Sequence, residues 1–310
     1  MNSKQNKPHI TVIAGPTATG KTALAAELAL HINGEVISAD SMQVYSNMPI
    51  GTAAPTQAEK RGVPHYLLEF LPPNEEYSLA RFLEDANAAI QDILARGKSP
   101  IICGGTGLYI SSLIDNIKLL DCGRDEALRR TLEAKAEQEG LGSLLSELAV
   151  FDPESAEELS KTRNLSRIIR AIELYRLSGI SISEQKRLSR AVPSPYQFKC
   201  IALNFKDRST LYTRINSRID KMLEAGLLEE ARRILAVNES GTSAQAIGHK
   251  ELAAYLHGLC TFDEAVERLK METRRFAKRQ ITWFKRDSRF SWFFGEDYSC
   301  VDELVEAIAF

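Results

Sequence analysis

Two hydrophobic rhythms alternate along the first third of the chain. Short apolar runs at 9–14, 35–38 and 100–103 have the length and β-branched content of buried strands. Between them, 21–32 and 78–96 repeat their apolar positions at helical spacing, as Leu79, Phe82, Leu83, Ala86, Ile90 and Ile93 show. Strands alternating with helices predict a parallel sheet. From 124 to 179 only the helical rhythm remains, carried by Leu128, Leu132, Leu141, Leu144, Leu145 and Leu148 and then by Ile168, Ile169, Ile172 and Leu174. Beyond Pro193 and Pro195, the run from Phe198 to Phe205 reads as a strand again, helices follow at 208–237, 249–256 and 262–286, and 290–294 reads as one more strand. The expected organisation is an α/β core formed by 1–123 and 196–310, interrupted by an all-helical insertion at 124–195.

Composition changes this picture little. At 310 residues, 44% hydrophobic and 26% charged, the chain reads as an ordinary globular protein with one large domain or two. Cys103, Cys122, Cys200, Cys260 and Cys300 form no C-x-x-C pair, which argues against a disulfide framework or a zinc site and fits a reducing compartment. No segment has the apolar length of a membrane span, and residues 1–7 lack the apolar stretch of a signal peptide, so a cytoplasmic, membrane-free protein is expected.

The first chemical signal lies where the opening strand breaks into Gly15-Pro-Thr-Ala-Thr-Gly-Lys-Thr22 and then into helix-forming residues. In that context Gly-x-x-x-x-Gly-Lys-Thr is a P-loop, and the core is expected to be a P-loop NTPase-like sheet flanked by helices. Backbone N–H groups and a helix N-terminus converge there, Lys21 adds a mobile charge, and the Thr22 hydroxyl suits Mg²⁺. Gly15, Pro16, Thr17, Ala18, Thr19, Gly20, Lys21 and Thr22 are therefore the expected diphosphate cradle.

Asp40 follows the second strand, at the sheet edge that carries the P-loop. Three readings compete for it: a carboxylate that orders Mg²⁺, a general base, or the N-cap of a following helix. Gly104-Gly-Thr-Gly107 follows the third strand, and its glycines with the Thr106 hydroxyl read either as a second wall of the phosphate site or as a simple turn. Arg214 and Arg218 share a helix face away from the apolar stripe of Leu211, Ile215, Ile219 and Met222; that face is either solvated or a clamp for diphosphate charge. Between 268 and 289, Lys270, Arg274, Arg275, Lys278, Arg279, Lys285 and Arg286 interleave with Phe276, Trp283 and Phe284, and Lys161, Arg163, Arg167 and Arg170 form a second basic group. Such mixtures suit an RNA backbone with bases to stack on, or a helix with aromatics inward and charges in water.

The P-loop, Ile37-Ser-Ala-Asp-Ser-Met-Gln-Val-Tyr45, Gly51-Thr-Ala53, Val63-Pro-His65, Gly104-Gly-Thr-Gly-Leu-Tyr109, Gln245-Ala-Ile-Gly-His-Lys-Glu251 and Thr273-Arg-Arg-Phe-Ala-Lys-Arg-Gln-Ile-Thr-Trp283 together resemble the bacterial tRNA dimethylallyltransferases. The resemblance runs in order over about 9–294, with local departures. Pro49 and Ala54 stand where the family usually has an Asp and a Lys, Tyr66 where it has a second His, and His249 where it has a Tyr.

The resemblance implies transfer of a dimethylallyl group from its diphosphate to N6 of the adenosine just 3′ of the anticodon, with Mg²⁺ as cofactor. It implies Asp40 as the base, with Lys21, Thr22, Thr106, Arg214 and Arg218 acting on the leaving diphosphate. Family correspondence also suggests Asp40, Ser41, Met42, Gln43, Thr106, Arg129, Arg163, Arg167, Gln245, Gly248 and Lys250 as tRNA contacts, joined by Lys278 of the basic segment. The expected partners are a tRNA anticodon stem-loop and dimethylallyl diphosphate, on a monomeric chain. A P-loop small-molecule kinase or an adenylate isopentenyltransferase would share the P-loop and Asp40, but neither needs two basic helical regions.

Overall fold

The structure is a computed structural model that describes residues 7–118, 123–190, 192–239 and 241–309; Cys122 therefore lies outside the described residues. Six strands, β1 (His9–Ala14), β2 (Gly34–Ser38), β3 (His65–Tyr66), β4 (Ser99–Cys103), β5 (Gln197–Asn204) and β6 (Phe290–Phe294), form one sheet in the order β3-β2-β4-β1-β5-β6. Every pairing is parallel, as the alternating pattern predicts. β3 was not expected, because two residues carry no periodicity; it adds to the sheet by pairing with Val36 and Ile37. Strands reached before the helical segment lie on one side of β1 and those reached after it on the other, so ligands are expected at the carboxyl end of β1.

Helices α1 (Lys21–His31), α2 (Gln57–Lys60), α3 (Leu79–Ala95) and α4 (Gly107–Ile114) belong to the first part of the chain. Five more follow: α5 (Glu126–Glu139), α6 (Leu141–Phe151), α7 (Pro153–Thr162), α8 (Leu165–Ser178) and α9 (Ile182–Arg190). After β5 come α10 (Arg208–Glu224), α11 (Leu227–Asn238), α12 (His249–Leu256), α13 (Phe262–Lys285) and α14 (Val301–Ala309). The single helix expected at 208–237 is two, because Gly226 takes φ +100° and starts α11 in a new direction.

The chain divides into two compact units, one of residues 1–111 with 195–310 and one of 112–194, so the second begins before the 124 expected. In the first unit, Ile13, Val36, Ile101, Ile201 and Leu203 of the sheet pack against Leu24 and Leu28 of α1 and Leu304, Val305 and Ile308 of α14. A second core of the same unit gathers Leu211, Ile215 and Ile219 of α10 with Leu227, Leu252 and Leu269. The other unit has its own core of Leu132, Leu144, Leu148, Ile168, Ile169 and Ile172, and its described residues contain no strand.

The amino end of β2 carries a buried charge. Glu35 accepts hydrogen bonds from Arg96 at 2.7 and 2.6 Å, from Lys98 at 2.6 Å and from the Tyr66 hydroxyl at 2.7 Å. The Arg96 hydrogen bonds, which outweigh burial, hold its carboxyl down at about 2 against an ordinary 4.5. A depressed folded-state pKa adds stability above about 4.5 that is lost as pH falls toward 2. Glu35→Gln is expected to lower stability at neutral pH by about 2 kcal/mol, less than the loss typical of a fully buried pair, because Arg96 and Lys98 keep access to water. Urea unfolding at a series of pH values should show the difference from the parent shrinking from about pH 5 downward; a constant difference would remove the charge from the account.

Candidate active site

The P-loop leaves β1 through Gly15, where φ is +134° and an added Cβ would lie 2.4 Å from the Leu203 carbonyl oxygen, so only glycine lets β5 approach. It enters α1 through Gly20, with no side chain capping the helix, and the first-turn N–H groups of α1 are left for an anion. Lys21 Nζ donates to the Pro16 carbonyl at 2.6 Å, and Thr19 Oγ1 to the same oxygen at 2.9 Å. Burial pulls the Lys21 ammonium down to about 8, opposed by Cys103 and Asp40 and assisted by the positive charge of Arg218.

Arg214 and Arg218 of α10 do not simply face water. Arg214 Nε donates to the Ala18 carbonyl at 2.9 Å, its guanidinium over the Phe205 ring, and Arg218 Nη1 donates to Thr17 Oγ1 at 3.3 Å. Desolvation lowers the Arg218 pKa, partly opposed by Asp40 and Glu59, which marks it as a charge held among low-dielectric surroundings.

No helix follows Asp40, so the helix N-cap reading is corrected. The segment turns, and Asp40 Oδ1 accepts the Met42 N–H at 2.9 Å, leaving Oδ2 without a partner among the described residues. Beside it, Thr106 Oγ1 accepts the Ser41 N–H at 2.9 Å and donates to Ser41 Oγ at 3.3 Å. The Gly104–Gly107 turn requires its glycines for close approach: a Cβ on Gly105 would meet Gln280 Nε2 at 2.2 Å, and one on Gly107 the Trp283 ring at 2.4 Å.

Gln280, buried on α13, was not singled out in the sequence. Its Oε1 accepts the Thr17 N–H at 3.0 Å and its Nε2 donates to the Gly105 carbonyl at 3.0 Å, so one amide joins the P-loop to the glycine turn. The only available signal was its place within the family-like 273–283 segment, where the basic residues dominated the reading.

Two cavities open at this edge of the sheet. The first, of about 440 Å³, is lined by Asp40, Ser41, Met42, Thr106, Gln245 and Arg279 among apolar groups that include Leu108, Ile215, Met222, Phe276 and Trp283. The second, of about 630 Å³, is lined by Ala18, Gly20, Lys21, Thr22, Glu59, Arg214 and Lys221. Ala53 and Arg218 line both. The glycine turn, which the sequence left as either a second phosphate wall or a simple turn, lines the first cavity, with Thr106 bonded to Ser41 beside Asp40.

The expected RNA contacts divide. Gln43 spends its amide internally, donating to the Thr52 and Ala53 carbonyls at 3.2 Å each, and Gly248 is a buried cap of α12 at φ +112°. Arg129 is bound to buried Glu173 at 2.8 and 2.7 Å within the helical unit. Burial works against Glu173 ionisation, but hydrogen bonds from Arg129, Arg170 and the Asp125 N–H outweigh it and hold its pKa at about 2. Arg163, Arg167, Lys250 and Lys278 are exposed, with no side-chain partner among the described residues. Elsewhere on α13, Lys270, Arg274 and Arg275 bind Asp220, Asn216 and Glu272, and Phe284 is core, so much of the basic–aromatic pattern serves the fold.

The family model described as IPP transferase matches residues 43–287, and one described as isopentenyl transferase matches 8–69. The chain is 45% identical over 302 residues to the tRNA dimethylallyltransferase of Caldanaerobacter subterraneus subsp. tengcongensis, covering 96% of each. It is similar to the crystal structure of the tRNA isopentenylpyrophosphate transferase of Bacillus halodurans, with a TM-score of 0.71, 40% identity, and coverage of 98% of this chain and 96% of that one. A eukaryotic dimethylallyltransferase captured acting on tRNA matches with a TM-score of 0.80 and 29% identity over 97% of this chain and 78% of that one. Since the IPP transferase model spans most of the chain and the bacterial relatives match it over nearly its whole length at 40–45% identity, the chain belongs to the tRNA dimethylallyltransferase family.

Proposed function

We propose that the second cavity receives the diphosphate of dimethylallyl diphosphate, that the first receives an adenosine extruded from the anticodon loop of a tRNA, and that transfer to N6 takes place where the cavities meet. The observation that carries this reading is the junction itself: Arg218 and Ala53 line both cavities, and Asp40 stands in the first with a free carboxylate oxygen. An aromatic amine is a poor nucleophile, since its lone pair is delocalised into the ring, and in this reading Asp40 Oδ2 accepts the N6 proton as the new C–N bond forms. The allylic C–O bond breaks with both electrons leaving on the diphosphate. Lys21, Arg214, Arg218 and the uncapped N–H groups of α1 neutralise that growing charge.

Thr22 fits a role in holding Mg²⁺. Its hydroxyl, in the lining of the second cavity, would hold the ion together with oxygens of the bound diphosphate, the hard oxygen donors that Mg²⁺ favours. When bound, the ion would supply further charge for the departing diphosphate. The apolar side chains of the first cavity shelter an allylic group from water, and Phe276 and Trp283 are the aromatic residues of its lining against which an unstacked base would pack. Arg163, Arg167, Lys250 and Lys278 are exposed cations that would hold tRNA phosphates, while Arg129 serves its neighbours through Glu173.

Incubation with dimethylallyl diphosphate and Mg²⁺ should prenylate unmodified tRNA and leave AMP and ATP unchanged; labelling of AMP would favour the adenylate reading, and phosphoryl transfer from ATP a kinase. Asp40→Asn keeps size and the Met42 contact but cannot take a proton, so kcat is expected to fall ~10² or more at nearly unchanged tRNA affinity, measured by single-turnover kinetics beside filter binding. An undiminished rate would leave Asp40 a turn residue. For RNA binding, Arg163→Ala and Lys278→Ala should each lower the slope of log affinity against log salt by roughly 0.7–0.9. Slopes equal to the parent's would make these charges a solvated face.

A further inference from the structure

Glu230 of α11 is fully buried, and it grips a loop of the active site from behind. Its Oε2 accepts the Ile50 N–H at 2.9 Å and its Oε1 accepts the Gly51 N–H at 2.7 Å, while His249 Nε2, also fully buried, lies 3.0 Å from the same Oε1. Both carboxylate oxygens act as acceptors, so the His249 nitrogen facing them carries the hydrogen. A buried carboxylate is costly unless its hydrogen bonds are made, and an apolar side chain would fill the same space. What an apolar side chain could not do is hold two successive backbone N–H groups in one orientation.

The loop so held matters to both cavities. Gly51 and Thr52 line the first, and Ala53 lines both. From the other side, Gln43 pins the Thr52 and Ala53 carbonyls, so the segment is gripped by its N–H groups at one end and its carbonyls at the other. Gly51 is where the fit is tightest: a Cβ there would meet His249 Nε2 at 2.7 Å and Glu230 Oε1 at 3.0 Å. We propose that Glu230, buttressed by His249, is a positioning residue for prenyl transfer, setting the 51–53 wall against which donor and acceptor are aligned.

The proposal rests on the two-cavity reading above, and the parent enzyme, assayed in parallel with dimethylallyl diphosphate and tRNA, tests that reading separately. Two variants displace the loop by different routes. Glu230→Gln puts an N–H against one of the two backbone N–H groups, and Gly51→Ala leaves Glu230 intact but drives the loop off it. Because misplacement by about 1 Å can cost ~10² in rate, both variants should lower kcat at least ~10-fold per folded molecule, with KM for either substrate moved by less than ~3-fold. The folded fraction at the assay temperature is taken from circular dichroism melting, since a merely structural role lowers Tm and the folded fraction but leaves kcat per folded molecule alone. A parent-like kcat in either variant, in a background where the parent prenylates tRNA, would overturn the positioning role.

Discussion

The site depends on one constraint: three loops that leave the sheet at the same edge are tied together through a buried side chain. The Gln280 amide meets it by accepting from the P-loop at Thr17 and donating to the turn at Gly105. The Thr106 hydroxyl extends the chain of bonds to Ser41, beside Asp40. A buried amide with only one of its ends satisfied would cost about what a hydrogen bond is worth or more, so the three loops hold their relative places as a set. The absent Cβ atoms of Gly105 and Gly107 are part of the same constraint, since a methyl group at either position would push Gln280 or Trp283 out of place.

Around this clamp cations outnumber carboxylates. Lys21, Arg214 and Arg218 gather at the P-loop, where the α1 N-terminus also favours an anion, and Asp40 is the carboxylate on the neighbouring cavity. The Asp40 carboxylate favours the charged forms of Lys21 and Arg218 against the burial that opposes them. Burial makes Lys21 easier to deprotonate, so an incoming diphosphate and a lysine with a lowered pKa stabilise each other's charged forms. Acid groups elsewhere have different work: Glu35 and Glu173 hold arginines for the fold, and Glu230 holds backbone.

Much was legible in the sequence because it was local. The strand and helix rhythms predicted β1, β2, β4, β5 and β6 and most of the helices, since period and length depend only on residues near in the chain. The P-loop was legible for the same reason: a glycine that must adopt φ +134°, a lysine and a threonine at fixed offsets, and a strand before and helix after are all within one short segment. The break at Gly226 and the two-residue β3 were missed because neither leaves a periodic trace.

By itself, then, the sequence determined the parallel α/β framework, the glycine-rich loop between β1 and α1, Asp40 at the sheet edge and, through its ordered motifs, the family. Only the tertiary structure decided which polar groups meet. It turned Gln280 into a clamp on a residue 263 positions away, brought Glu230 onto the N–H groups of 50 and 51, gave Arg129 to Glu173 and put Thr106 on the side of Asp40. The reason is physical: hydrophobic spacing fixes which face of a helix is buried, but the partner of a buried polar atom depends on how distant elements dock, and no repeat along the chain encodes that.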